Sequence, residues 1–315
     1  MSEPVEGQTP GQTGASVESI PHLSPNQRAW RRFLNNRPAV ISLGFITLLL
    51  LAVVLWPTGA ANKITDLQFR APGGGHVLGT DVHGRDLLVR MIAGARISLL
   101  VGAVGAGVSL VIGVLWGAIA GYVGGRTDSL LMRLVDILYC LPNIVFVMVL
   151  ITTLEKFLKE WLDSVQFGLS ARLLLLFAGL GAISWLTMAR IVRGQVLSLR
   201  TRQFVDASRA LGASHTRILL RHILPNVTGI IIVYLALTVP AIILYESFLS
   251  FLGLGIQPPM ASWGSLIAEG ANQLNPIRIY WWLIIFPAAM MVTTLLALNF
   301  LGDGLRDAFD PRAQT

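Results

Sequence analysis

The side chains able to do chemistry are few and scattered. Glu246 is the one acid set between long apolar runs, 227–245 and 247–256. A charge at the centre of a bilayer costs about 2.5–3.5 kcal/mol, so such a residue must face a partner or a wet cavity. His215 and His222 stand seven residues apart without a third ligand at suitable spacing, so no metal site is expected. Cys140 is the single cysteine, which excludes a disulfide framework and any cysteine-built zinc or iron–sulfur site. Asp136 beside Arg133 reads as an interfacial pair. The sequence contains no H-E-x-x-H, no G-x-S-x-G and no G-x-x-x-x-G-K-[ST]. Neither a hydrolytic centre nor ATP hydrolysis by this chain is expected.

The informative stretch is 190–222. It carries seven arginines (190, 193, 200, 202, 209, 217 and 221) yet keeps a helical period. Phe204, Ala207 and Leu211 recur on one face, and Ile218, Leu219 and Ile223 on a later one. Gly212 falls where a first helix ends in a left-handed cap. Ser214 then caps a second helix, and Pro225 marks its end or its join to the next span. The reading is helix, glycine turn, helix. Its apolar stripe must rest on the membrane, on the chain's own bundle or on a soluble partner.

The elements that would hold this elbow are membrane spans. The chain has 315 residues, 54% apolar and 13% charged, against about 25% charged in soluble chains. Six stretches carry no charge at all: 39–56, 97–123, 137–154, 173–189, 227–245 and 279–301. A bilayer-crossing helix needs about 20 apolar residues, so an all-α membrane protein with six transmembrane helices is expected. Residues 1–27 read as a disordered tail within a cytoplasmic segment, 1–38. The first span, 39–56, follows Arg28, Arg31, Arg32 and Arg37, too late and too long for a cleaved signal. With both termini inside, 15 basic residues fall inside and nine outside, which favours N-in, C-in. The net charge of +7 then serves orientation, and no nucleic acid is expected.

The external segment 57–96 contains a turn-rich Pro72-Gly73-Gly74-Gly75. It then shows Leu87, Leu88, Met91, Ile92 and Ala95 at helical spacing, with Arg85, Arg90 and Arg96 elsewhere on the turn. This predicts a short amphipathic helix at the interface, with Asp81 or Asp86 near its N-terminus. His76 and His83 are expected in solvent. Gly105, Ser109, Gly113, Gly117 and Gly121 recur every fourth residue, a stripe that admits a close neighbouring backbone. That neighbour lies either within the chain or on a second subunit. Pro240 and Pro287 sit inside spans five and six, and Trp281-Trp282 reads as an aromatic belt.

Asp206-Ala207-Ser208-Arg209-Ala210-Leu211-Gly212, followed by Arg221-His222-Ile223-Leu224-Pro225-Asn226, resembles the EAA loop of ABC-importer permeases. It departs from that pattern at Asp206, Ser208 and His222, the last as in peptide-transporter relatives. The stretches around Gly79-Thr80-Asp81, Trp185-Leu186-Thr187, Phe251-Leu252-Gly253 and Gly302-Asp303-Gly304 are similar to the C-type permeases of oligopeptide and dipeptide importers. The likeness runs from about 28 to 312, leaving the tail 1–27 and the insert 155–168 individual.

The resemblance implies a type I importer permease fold in the bacterial cytoplasmic membrane. The permease core would be 97–302, with the EAA loop at 190–225 and a cytoplasmic tail at 303–315. Its implied partners are a homologous B-type permease, two ABC ATPase subunits, an external peptide-binding protein and membrane lipid. ATP and Mg would be bound by the ATPases and no cofactor by this chain. Asp206, Ala207, Ser208, Arg209, Gly212, His222 and Pro225 would form the ATPase-coupling element. Arg209, Arg217 and Arg221 would meet acidic partner surface or lipid phosphates. Glu246 would line the peptide path, or make an internal bond holding span five. The loop Pro258-Pro259 to Trp263-Gly264 would meet the binding protein or fold over the bundle. Nickel, glutathione and opine permeases of the same family are the alternative, and an ion-coupled transporter a more distant one.

Overall fold

The structure, a computed structural model, describes residues 25–165 and 171–309. Most of the tail expected to be disordered therefore lies outside the described residues. The described residues begin with two helices, α1 (Pro25–Asn35) and α2 (Arg37–Leu55), so residues 25–38, expected in the tail, are largely helical. Asn36 separates the two helices. Its backbone is extended, and its side chain accepts from the Ala39 amide at 3.3 Å as the N-cap of α2.

An irregular segment, 56–86, leads into α3 (Leu87–Val123), one unbroken helix of 37 residues. No separate interfacial helix precedes span two. Asp86 caps α3, accepting from the Val89 amide at 3.2 Å. Leu87 and Met91 pack in a buried cluster with Leu266, Trp282 and Leu283. Arg90 is neutralised by Asp81 and Glu269. The apolar period that suggested a membrane-surface helix is filled by the chain itself.

The next element, α4 (Gly125–Tyr139), replaces the expected inside turn, and α5 (Asn143–Val165) follows at an angle of 82°. The break comes at Leu141-Pro142, where proline disfavours helical geometry in the residue before it. Residues 155–165 of the individual insert extend α5. After α6 (Ala171–Leu199) come two short helices, α7 (Gln203–Ala210) and α8 (His215–Ile218). A π-helical turn, Leu219–Ile223, joins α8 to α9 (Leu224–Phe251). The chain closes with α10 (Trp263–Ala271) and α11 (Trp282–Phe309), so residues 303–309 continue the last span instead of forming a tail. Among the described residues, five helices are long and apolar enough to cross a bilayer, and α4 with α5 makes a sixth if the bent pair is one span.

The sides follow from the contacts. Arg96 near the start of α3 donates to the Val53 carbonyl at the end of α2, so these ends share one face. The end of α3 then lies on the face where α2 begins. The end of α11 joins it there, since Asn36 reaches Asp307 at 3.3 Å. That face also carries α7 and α8, because Tyr122 meets His215.

The seam between α3 and α6 is the most extensive helix contact. The small-residue stripe makes it, within one chain. A Cβ on Gly113 would lie 2.6 Å from Met188 Cβ and 2.9 Å from the Trp185 carbonyl oxygen. One on Gly117 would run into the Ala189 carbonyl, and one on Gly121 would lie 2.8 Å from the Arg193 carbonyl. Gly105 faces Ile242 of α9, and Ser109 is fully buried. The second subunit considered for this stripe has no room there, since α6 and α9 fill it.

Overpacking a filled seam costs about 1–3 kcal/mol or more. Gly117→Leu is expected to lower the thermal unfolding midpoint of the purified chain. Gly107→Leu, on the same helix with open space at its Cβ position, should leave the midpoint near the wild-type value.

Candidate functional site

The elbow begins where α6 ends. Arg200 Nη1 donates to the carbonyls of Gly121 at 3.2 Å and Tyr122 at 3.3 Å, the free acceptors of the last turn of α3. A cation suits the negative end of that helix dipole. One turn on, α7 is held by a single buried side chain, Val205, in a cluster with Val192, Val196, Ile218, Ile223 and Val227. Its other residues face outward. Phe204 and Ala207 are exposed, and Leu211 is 88% exposed. The apolar face foreseen on α7 is therefore uncovered, whereas the later one is closed, with Ile218 and Ile223 fully buried in the bundle.

The turn after α7 closes by two bonds that fit a Schellman motif. The Gly212 amide donates to the Arg209 carbonyl at 2.9 Å, and the Ala213 amide to the Ser208 carbonyl at 3.1 Å. Gly212 has φ +78°, the left-handed region where a Cβ is disfavoured. Ser214 then caps α8, accepting from the Arg217 amide at 3.4 Å. Tyr122 Oη lies 3.0 Å from His215 Nδ1, which fastens α8 to the end of α3. Asp206 and Arg209 pair at 2.9 Å on the exposed surface, where such a bond contributes little. Ser208 Oγ donates to the Phe204 carbonyl at 2.8 Å, within α7.

Pro225 does not end the second helix. It sits in the first turn of α9, just after the π-helical turn, and His215–Phe251 continues as one long element. Proline's missing N–H leaves a helix carbonyl unpaired, and a π-helical turn often marks such a local change of register. His222 is half-buried in that turn, and its carbonyl accepts from Asn226 Nδ2 at 2.6 Å.

Two arginines of α6 brace the same face. Arg193 grips Asp128 of α4 through Nε and Nη2, at 2.5 and 2.6 Å, the strong bidentate form of ion pair. Asp136 pairs with Arg190 at 2.6 Å, not with Arg133, and that guanidinium sits 3.9 Å over the Tyr139 ring. The elbow is thus anchored at its ends on α3 and α6 while its outer face stays free.

Glu246 lies elsewhere and does not line an opening. It is 0% exposed and accepts hydroxyl bonds from Ser250 at 2.6 Å, Ser98 at 3.2 Å and Ser247 at 3.4 Å. Ser98 Oγ in turn accepts from the Trp263 amide at 3.3 Å, and Ser250 Oγ from the Ile256 amide at 2.9 Å. Of the two readings of Glu246, the geometry fits the internal bond, a knot joining α3, α9 and α10. The loop after Pro258-Pro259 folds over the bundle, with Trp263 fully buried.

Sequence reasoning missed an ion cluster on the opposite face. Asp81 accepts from Arg85 Nε at 2.7 Å and Arg90 Nη1 at 2.8 Å; Glu269 of α10 accepts from Arg90 at 2.5 and 2.9 Å and from Arg85 at 3.1 Å. Arg90 is 1% exposed, and its Nε has no partner among the described residues. His76, expected in solvent, lies 2.7 Å from Asp86. Trp282, expected in an aromatic belt, is buried and donates to the Thr80 carbonyl at 3.3 Å. These partners lie up to about two hundred residues apart, so the sequence carried no local signal for them.

Comparison with known proteins decides the family. The family described as binding-protein-dependent transport system inner membrane component matches residues 113–315. The chain belongs to that family. The N-terminal transmembrane domain of oligopeptide transport permease C matches residues 24–70, which assigns this permease to the C type. It is 47% identical over 292 residues to the oligopeptide transport system permease protein OppC of Haemophilus influenzae, covering 91% of this chain and 88% of that protein. The Escherichia coli K12 protein of the same name is also 47% identical, with 91% of each chain covered. The dipeptide transport system permease protein DppC of Bacillus subtilis is 41% identical, covering 93% and 87%. An inward-facing chain of the MetNI methionine ABC transporter shares the fold, with TM-score 0.54 at 17% identity, covering 70% of this chain and 96% of that one. The permease is thus a multi-pass protein of the bacterial inner membrane.

Removing one member of a buried ion cluster costs about 3–5 kcal/mol, because the remaining charges are stranded. Arg90→Ala is expected to reduce the yield of folded permease sharply, read as the monodisperse fraction in detergent. A normal yield and unfolding midpoint would show that the cluster contributes nothing.

Proposed function

We propose that this permease forms half of the translocation pathway of an ATP-driven peptide importer and takes no catalytic part itself. Its other half would be a homologous B-type permease, and an external peptide-binding protein would deliver the substrate. ATP and Mg would be bound by two ABC ATPase subunits beneath, and no cofactor by this chain. The observation that carries this reading is the elbow, α7, Gly212 and α8, in which the apolar outer face of α7 is uncovered while the elbow is fastened to α3 and α6. A short rigid helix of that kind suits a cleft in a soluble ATPase. Closure of two ATPases would then move the attached spans as a rigid body. Peptide as substrate rests on the names of the 40–47% identical relatives.

Within the elbow, Gly212 would permit the reversal, and Ala207 and Leu211 would enter the cleft. Asp206 and Arg209 are exposed enough to exchange their mutual bond for one to the partner. Ser208, His222 and Pro225 would act through the backbone, holding α7 and the start of α9 in shape. A permease for nickel, glutathione or an opine would share all this geometry. The reading of an ion-coupled transporter has less support, since Glu246 is sealed inside the chain.

Two measurements check the proposal. Vesicles holding both permeases and the ATPases, with the binding protein outside, are expected to accumulate labelled oligopeptide only when ATP is supplied; proton-driven uptake by this chain alone would refute it. In the same vesicles Gly212→Val, which forces a β-branched residue to positive φ at ~1–2 kcal/mol, should lower uptake by about tenfold while ATP hydrolysis persists. Unchanged uptake would contradict the role of the turn.

A further inference from the structure

We infer that α1 is a docking surface for the anionic headgroup layer of the inner leaflet, with Trp30 and Leu34 entering the acyl boundary and Arg31 and Arg37 meeting lipid phosphates. The apolar side of α1 is wider than the part the bundle covers. Projected at 100° per residue, Ala29, Phe33, Trp30 and Leu34 make one apolar arc about 140° wide. The bundle covers only one side of it. Phe33 is buried against the end of α11, beside Ala39 and Ala308. On the other side Trp30 is 58% exposed and Leu34 48% exposed, one turn apart.

Depth and charge say what covers that remaining side. The α11 helix spans 28 residues, about 42 Å at 1.5 Å per residue, whereas the hydrocarbon core is about 30 Å thick. Its last two turns, with Asp303, Arg306 and Asp307, therefore reach the headgroup zone. That is where α1 lies, since Phe33 packs on Gly304 and Asn36 bonds to Asp307. The surface continues directly into α2, a membrane span that starts at Arg37. The α1 sequence has no acidic residue; Arg31, about 60° from Leu34 on the same projection, is exposed, as is Arg37, which opens α2. An apolar edge bordered by arginines at headgroup depth fits an anionic phospholipid surface. A tryptophan at that level suits the same interface.

The test uses the full-length permease in nanodiscs of phosphatidylcholine alone and of phosphatidylcholine with one-third phosphatidylglycerol. With Cys140→Ser as background, a spin label is placed through Leu34→Cys, or through Asn35→Cys on the far side of the helix. The label at 34 is expected to be several-fold more accessible to oxygen than to a nickel chelate, with the reverse ratio at 35. Phosphatidylglycerol should raise the thermal midpoint of wild type, and the Arg31→Gln/Arg37→Gln pair should lose at least half of that rise while keeping its midpoint in phosphatidylcholine. A label at 34 that meets the nickel chelate freely, or is shielded from both reagents, overturns the inference, as does an undiminished rise in the arginine variant. Repeating the label measurement with the ATPases bound separates lipid from protein cover. Lipid cover leaves the ratio unchanged, whereas shielding only in the complex would assign the surface to the ATPase.

Discussion

The structure depends on the close approach of α3 and α6. Three glycines of α3 bring its backbone against carbonyls and amides of α6, at separations no side chain would permit. In lipid the hydrophobic effect gives helices little reason to associate, so packing of this kind carries the contact. Everything on the inner face is registered to that seam. Arg193, within the seam, grips α4, and Arg200, just past the end of α6, caps α3. The elbow then inherits its position from the end of α3 through Tyr122 and His215.

The two faces are built on different chemistry. The outer face is fixed by charge, with two carboxylates and two guanidiniums tying the segment before α3 to α10. Such a cluster strongly resists loss of one member, although its formation from solvated charges adds little. The middle is fixed by hydroxyls converging on Glu246. The inner face is fixed by a seam of small residues and by arginines on helix ends. In the proposed importer that last arrangement would let a push delivered at α7 reach α3 without bending the chain between.

Features set by local chemistry were legible in the sequence. A glycine three residues before a Ser-capped helix start defines the turn at Gly212 whatever surrounds it. A four-residue repeat of small residues defines a close contact, though not its partner. Charge-free runs located five of the spans, while the third run, 137–154, straddles the bend between α4 and α5 at Pro142; the start of α3 erred because a charged residue was neutralised from afar. Arg90 looked like the polar side of a surface helix because Asp81 and Glu269 lie on other elements, and so α3 was cut short. Trp282 looked like an interfacial residue because its acceptor, the Thr80 carbonyl, is a backbone atom. Glu246 was noticed for the right reason, an acid amid apolar residues. The serines that satisfy it come from two helices, and only their meeting in space shows that the acid is sealed.

In the proposed importer the elbow and the α3–α6 pair would move as one body during transport. The most direct measurement is the distance between spin labels at Thr216→Cys in α8 and Leu100→Cys near the outer end of α3, in the Cys140→Ser chain within the assembled transporter. That distance is expected to stay constant to within ~1–2 Å between the nucleotide-free and ATP-trapped states, while the distance from position 216 to a label on the second permease changes. A larger change inside this chain, with the distance between the permeases unaltered, would contradict it.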